Sequence, residues 1–262
     1  ERSSVLRRTA DDTDPYERIV VANAEQLLIV ASLADPPPRT GLIDRCLVAG
    51  YAGGLKPVLC LTKRDLAAPD AVLERYAALD LPVLVTAPQT GVDAVRSRLA
   101  DQVSVLVGHS GVGKSTLVNR LVPDAFRVTA AVSGVGKGRH TSSSAVAMPL
   151  PGGGWVVDTP GIRSFGLAHV TPDDVVRAFA DLAGAIANCP RGCTHLGPPA
   201  DPECALDGLD GAAHRRAMSV RGLLAALAAE SRSPTRQYRA PAFWPCAPRA
   251  VPRSPGGHRK SG

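Results

Sequence analysis

Gly108-His109-Ser110-Gly111-Val112-Gly113-Lys114-Ser115, followed by Thr116, fits the pattern G-x-x-x-x-G-K-[ST]. Residues of these types at this spacing hold a polyphosphate. The glycines let successive backbone N–H groups turn toward one point, and His109, Ser110 and Val112 contribute through that backbone. Lys114 brings a cation to the outer phosphates and is a catalytic candidate, while the Ser115 hydroxyl is placed to ligate Mg²⁺. Such a loop needs a strand before it and a helix after it. Val103-Ser104-Val105-Leu106-Val107 reads as a buried strand, and Thr116 to Leu121 as the first turns of a helix whose positive end faces the phosphates. A glycine-rich turn matching by chance would lack those flanks.

Three further motifs end apolar runs. In Thr62-Lys63-Arg64-Asp65, the Asp65 carboxylate can accept hydrogen bonds from both the N1–H and N2–H₂ of guanine. Adenine offers no such donor pair and would leave the charge unpaired. Lys63 is expected to lie along the base and tie this loop to the phosphate loop. Thr86-Ala87 can offer a backbone N–H to guanine O6. Asp158-Thr159-Pro160-Gly161 is a D-x-x-G: Asp158 would reach Mg²⁺ through water, and the Gly161 N–H would contact the γ-phosphate. Alone, a Lys-x-Asp is more often a solvated turn, and a D-x-x-G is commonplace. Their weight comes from company and position.

The surrounding pattern is that of an α/β protein. Ile19–Ala22, Leu27–Ala31, Pro57–Leu61 and Pro82–Val85 read as strands. Residues from Thr40 to about Gly50, Asp70 to Ala78 and Gly91 to Ala100 read as helices between them. This alternation predicts a mostly parallel sheet covered on both faces, with ligands at the carboxyl ends of its strands. A Gly/Ser/Thr-rich loop over 131–144 and a hairpin, Ala145–Leu150 with Gly154–Val157, follow the phosphate loop. Thr171-Pro172-Asp173-Asp174 starts a helix, with acids at its positive end. Asp210 to about Glu230 is a long helix. The expected organisation is a linker or remnant at 1–17, a nucleotide-binding domain at 18–167, a small helical metal-binding domain at 168–230, and a disordered tail at 231–262.

Composition narrows the partners. The formal charge of +6 suggests an acidic partner, yet seven of the 30 basic residues and none of the 24 acidic ones lie from Ser231 onward. The first 230 residues therefore hold 23 basic against 24 acidic, and the basic character belongs to the tail. Nothing approaches the ~20 apolar residues that span a bilayer, so the expectation is a cytoplasmic monomer without a membrane partner. In that compartment Cys189, Cys193, His195 and Cys204 read as metal ligands rather than disulfides. Three thiolates and one imidazole suit a closed, tetrahedral structural Zn²⁺. Cys46 and Cys60 fall in apolar elements and belong to the core; Cys246 lies in the tail.

An ordinary GTPase runs phosphate loop, first switch, D-x-x-G, base loop, Ala loop. This chain presents the last two first. In a doubly wound sheet all these loops meet at one edge, so a cyclic reconnection leaves the site intact. TKRD at 62–65, GHSGVGKST at 108–116, GKGRHTS at 136–142, DTPGIRSFGL at 158–167 and the Cys/His cluster together resemble the circularly permuted GTPases. More specifically they resemble the ribosome small subunit-dependent GTPase A family, over roughly residues 15 to 229. The resemblance implies a permuted P-loop GTPase fold with a C-terminal helical zinc domain, preceded in the family by an RNA-binding OB-fold. It implies binding of GTP and GDP, hydrolysis of GTP stimulated by the small ribosomal subunit, contact with its rRNA, and a role in late maturation of that particle.

The chain departs from the family pattern in places. Where the family has three threonines, this chain has Thr141-Ser142-Ser143; Thr141 or Ser142 would serve Mg²⁺ or the γ-phosphate. Ile162 occupies the site after D-x-x-G where many GTPases, beyond this family, place a water-orienting glutamine, and it cannot hydrogen bond to water. His140 is the catalytic candidate instead, its alternative being a solvated loop histidine. The spacing of the first cysteine pair and the place of the last cysteine are also shifted. Two rivals stand beside this reading. A P-loop ATPase is opposed by Asp65; a non-enzymatic RNA-binding zinc protein holding nucleotide as a structural ligand is kept open by Ile162.

Overall fold

Strand β3 (Gln26–Ser32) is buried at every position, and this dictates the architecture. A strand with apolar residues on both faces needs cover on both. In the computed structural model, which describes residues 2–9, 16–123, 145–159 and 166–231, β3 lies inside a six-stranded sheet. Its neighbours are β4 (Lys56–Thr62), β5 (Val83–Val85), β6 (Val103–Gly108), β7 (Val146–Pro149) and β8 (Trp155–Asp158), in the order β5-β4-β3-β6-β8-β7. All pair in parallel except the edge strand β7, which runs antiparallel to β8 as the expected hairpin.

The pleat separates two cores. Leu27, Ile29 and Ala31 of β3, with Leu59, Leu61, Val105 and Val107, face α1 (Thr40–Ala52) and the C-terminal helices. Leu28 and Val30, with Val58, Cys60 and Leu106, face α3 (Val92–Leu99) and α4 (Lys114–Leu121). Helix α1 is buried along Ile43 to Gly50 because it lies between the sheet and a second helical layer. Asp44 of α1, itself buried, accepts from the Tyr76 hydroxyl of α2 (Asp70–Tyr76) at 2.7 Å and from Arg75 at 2.8 Å. Cys46 and Cys60 are core residues, and burial pushes both thiols up to about 12.

That second layer comprises α5 (Pro172–Val176), α6 (Ala180–Ala183) and α7 (Gly211–Ser231). Val175, Val176, Phe179, Leu182, Leu206, Val220, Leu223 and Leu224 join the same core as β3 and α1. The apolar interior thus runs across the 167/168 boundary without interruption.

Within the stretch read as a linker or remnant, residues 5–8 form strand β1 (Val5–Arg8), antiparallel to β2 (Arg18–Ala22). Leu6 is 0% exposed in the main core, and Thr9 bridges to Gly166. A short strand bearing two arginines takes its stability from a distant partner, which composition does not disclose. Among the described residues no helix is long and apolar enough to cross a membrane. His140, Thr141, Ser142, Gly161, Ile162, Cys246, the 131–144 loop and the tail from 232 lie outside the described residues.

Candidate functional site

The phosphate-loop motif leaves β6 and enters α4 as its spacing requires. Gly108 sits so close to β3 that a Cβ there would stand 2.5 Å from the Val30 carbonyl oxygen. Gly111 (φ 84°) and Gly113 (φ 87°) occupy the left-handed region, where a side chain is strained. The turn therefore needs these glycines. Helix α4 begins at Lys114, so Lys114, Ser115 and Thr116 form its first turn.

Lys114 is 8% exposed, and its Nζ donates to Asp158 Oδ1 and to the Thr159 carbonyl. Asp158 ends β8, the strand beside β6, paired in register with Leu106. The Thr159 hydroxyl donates to the Leu106 carbonyl at 2.6 Å and closes the junction. The motif lysine and the D-x-x-G aspartate, 44 residues apart, thus meet at one strand edge.

On the other side of β3, β4 ends in the TKRD stretch. Thr62 is buried, and its hydroxyl donates at 2.6 Å to the carbonyl of Val112, inside the phosphate loop. The tie between the two loops is therefore made by Thr62. Lys63, expected to make it, instead sends its ammonium to the Asp35 carbonyl in the β3–α1 connection. Lys63 has φ 60°, which turns the chain sharply, and Leu66 N–H closes the turn on its carbonyl at 3.0 Å. Asp65 is exposed on that turn.

Thr86 and Ala87 lie at the end of β5, adjoining this loop: Arg64 N–H donates to the Thr86 carbonyl at 3.1 Å. Their own amides are already engaged. Thr86 N–H donates to Leu61 at 2.8 Å, and Ala87 N–H to Thr90 at 3.2 Å. The free N–H expected there is not present in this arrangement, because residues 87–90 close a tight turn on themselves. His109 Nδ1 lies 2.7 Å from the Ser110 carbonyl.

The four metal-type residues converge as their sequence spacing suggests. The ligand atoms of Cys189, Cys193, His195 and Cys204 all lie within 4.8 Å of one another. Cys189 Sγ is 3.5 Å from His195 Nδ1, and Cys204 Sγ is 4.0 Å from it. Zn–S and Zn–N bonds of about 2.3 and 2.0 Å at tetrahedral angles place S and N ~3.5 Å apart. Donor set and spacing fit that ion.

Backbone N–H groups of His195 and Ala205 donate to Cys193 and Cys189 sulfurs, each at 3.4 Å. Without a cation, burial pushes the Cys193 thiol up to about 12, and the Cys204 and Cys189 sulfurs add to the rise. A bound dication reverses that balance by holding the thiolates. Asp201, which sequence reasoning passed over, shapes the loop. It accepts from the Thr194 and Leu196 amides at 3.0 Å, and against the cost of burial the Thr194 hydroxyl and these amides hold its carboxyl below the usual value.

A mostly parallel sheet presenting a phosphate loop, a D-x-x-G aspartate and a TKRD loop along one edge, with the TKRD strand ahead of the phosphate-loop strand in the chain, is a circularly permuted P-loop GTPase fold. A family model described as RsgA GTPase matches residues 1–168. The small ribosomal subunit biogenesis GTPase RsgA of Ectopseudomonas mendocina is 43% identical over 241 residues, covering 86% of this chain and 68% of that protein. Its namesake from Marinobacter nauticus is 41% identical over 219 residues, covering 79% of this chain and 61% of the relative. Among solved structures, YjeQ from Thermotoga maritima aligns with TM-score 0.60 at 25% identity, over 87% of this chain and 76% of that one. YloQ, described as a circularly permuted GTPase, aligns with TM-score 0.55 at 25% identity, over 86% and 73%. The chain belongs to the RsgA GTPase family. It spans about three fifths to two thirds of the length of these curated relatives.

Proposed function

We propose that this chain is a guanine-nucleotide switch that hydrolyses GTP to GDP and phosphate in the cytoplasm, during maturation of the small ribosomal subunit, and that the subunit stimulates it. One observation carries the reading. The ends of β4, β6 and β8 bring Asp65, the 108–116 loop with Lys114, and Asp158 to the same sheet edge. The subunit as partner follows from the names of the relatives.

The residues divide the work as follows. Backbone N–H groups of the phosphate loop and the start of α4 cradle the phosphates. Lys114 leaves Asp158 Oδ1 and the Thr159 carbonyl for the outer phosphates, which frees the Asp158 carboxylate. Ser115 and Asp158 are the residues to hold Mg²⁺, which when bound neutralises charge on the phosphates. Thr141 joins them in this reading, and Gly161 takes the γ-phosphate. His140 orients the attacking water in place of the glutamine that Ile162 displaces. Asp65 selects guanine, and Thr62 keeps the base loop at a fixed distance from the phosphate loop.

The Cys189, Cys193, His195 and Cys204 cluster holds one structural zinc, which supplies folding energy to a segment poor in apolar residues. The expected result of stripping zinc with a chelator is faster amide exchange across residues 189–204, with GTP affinity unchanged within about threefold, since the cluster shares no residue with the phosphate loop. Unchanged exchange in that segment contradicts the zinc assignment. The test of the reading as a whole is GTP turnover by the full chain with and without purified small subunits.

A further inference from the structure

His195 is 2% exposed and sits in left-handed backbone at φ 59°, a conformation that a side-chain-bearing residue adopts only when its surroundings impose it. Its Nδ1 faces the cysteine sulfurs. Its other nitrogen, Nε2, lies 2.9 Å from Oδ1 of Asp173 on α5. A carboxylate only accepts, so Nε2 carries the hydrogen, and the Nδ1 lone pair is left for a metal. The carbonyl of the same residue accepts from Arg221 Nε of α7 at 3.1 Å.

Among the described residues, the other roles of Asp173, an acid in the first turn of α5 and a partner of Arg177, do not require this contact. The capping box of α5 is made by Thr171 with the neighbouring Asp174. The second oxygen of Asp173 takes an exposed ion pair with Arg177 at 2.8 Å, a contact of small worth.

We propose that Asp173 is a positioning residue for the metal site: it fixes the tautomer and ring orientation of His195, and through that hydrogen bond the cluster fastens α5 in place. The proposal rests on the reading of the cluster as a zinc site. Among the described residues, α5 is the first helix after Asp158, and its Val175 and Val176 enter the core shared with α1 and β3. Zinc occupancy and the seating of α5 are therefore one equilibrium: metal that holds His195 holds α5, and loosening α5 weakens the metal. A carboxylate behind a ligating histidine typically contributes a factor of roughly 10 to 100 in metal affinity.

The experiment measures zinc affinity of the full chain by competition with a chromophoric chelator, for wild type, Asp173→Ala, Asp173→Asn and Arg177→Ala. Long-range ¹H–¹⁵N spectra of the His195 ring and amide exchange of residues 172–179 are recorded on the same samples. The expected result is a zinc affinity roughly 10- to 100-fold lower for Asp173→Ala. Asp173→Asn is expected to lose less, because it keeps a neutral acceptor, and Arg177→Ala to match wild type. The Nε2 signal moves in Asp173→Ala, and exchange in 172–179 rises both in that variant and in zinc-stripped wild type. Should Asp173→Ala fail to fold, the near-isosteric Asp173→Asn carries the test through its affinity and Nε2 signal. Zinc affinity of the aspartate variants within twofold of wild type overturns the proposal, as does an equal loss in Arg177→Ala, which would place the effect in the helix rather than in His195. A wild-type chain with no zinc affinity would instead remove the zinc reading itself.

Discussion

Lys114→Ala is expected to bind GTP roughly 30- to 4,000-fold more weakly than the wild-type chain and to lose measurable turnover. Removing one partner of a desolvated, hydrogen-bonded charge pair costs about 2–5 kcal/mol, and about 1.4 kcal/mol corresponds to a factor of ten. Lys114 is the buried cation at the carboxyl edge of β6 and β8, held by the Asp158 carboxylate and the Thr159 carbonyl. In the proposed mechanism these contacts are exchanged for phosphate oxygens, so alanine removes both the binding charge and the charge that offsets the transition state. Equilibrium titration with a fluorescent GTP analogue, beside thermal unfolding to show that the variant folds, reads the effect. GTP affinity within threefold of wild type, in a folded variant, would show that phosphates bind elsewhere.

The second large effect falls on the base. Asp65→Asn is expected to lose guanine preference by about two to four orders of magnitude, because two hydrogen bonds to a charged acceptor at about 1.5–3 kcal/mol each are lost or weakened. The replacement also has a positive signature. Asparagine offers a donor where aspartate offers only acceptors, and xanthine carries an oxygen where guanine carries N2–H₂. The variant is therefore expected to prefer XTP over GTP while phosphate contacts persist. Asp65 is exposed on the turn after β4, and Thr62 anchors that turn to the phosphate loop at Val112. Competition by GTP, ATP and XTP against one labelled nucleotide decides the matter. Equal competition by GTP and ATP in the wild-type chain would remove Asp65 as the selecting group.

Strands β3, β4 and β6 are legible in the residues themselves, because a strand covered on both faces is written as an unbroken apolar run. The turn after β6 is legible because Gly108, Gly111 and Gly113 stand where close approach to β3 and left-handed backbone require glycine. The cluster at 189–204 is legible because few other environments gather three cysteines and a histidine in a chain read as cytoplasmic.

What the residues conceal is contact between distant segments. Val5–Arg8 carries two arginines and becomes a strand only through pairing with Arg18–Ala22. The Thr62 hydroxyl finds Val112 across a separation of 50 residues, and nothing local distinguishes it from Lys63 as the tie between loops. Asp173 reads as one of two acids at a helix start, which it is. Its bond to His195, 22 residues on, follows only from the packing of α5 against the cluster. Ala87 shows the converse: its position is as expected, but its amide is already taken by Thr90.

The most direct measurement is the rate of GTP hydrolysis by the full chain, alone and with purified small ribosomal subunits, with ATP as the control substrate. The account predicts slow turnover of GTP alone, a severalfold or greater rise with subunits, and no turnover of ATP in either case. Absence of GTP turnover under both conditions would contradict it and leave a zinc protein that holds nucleotide without consuming it.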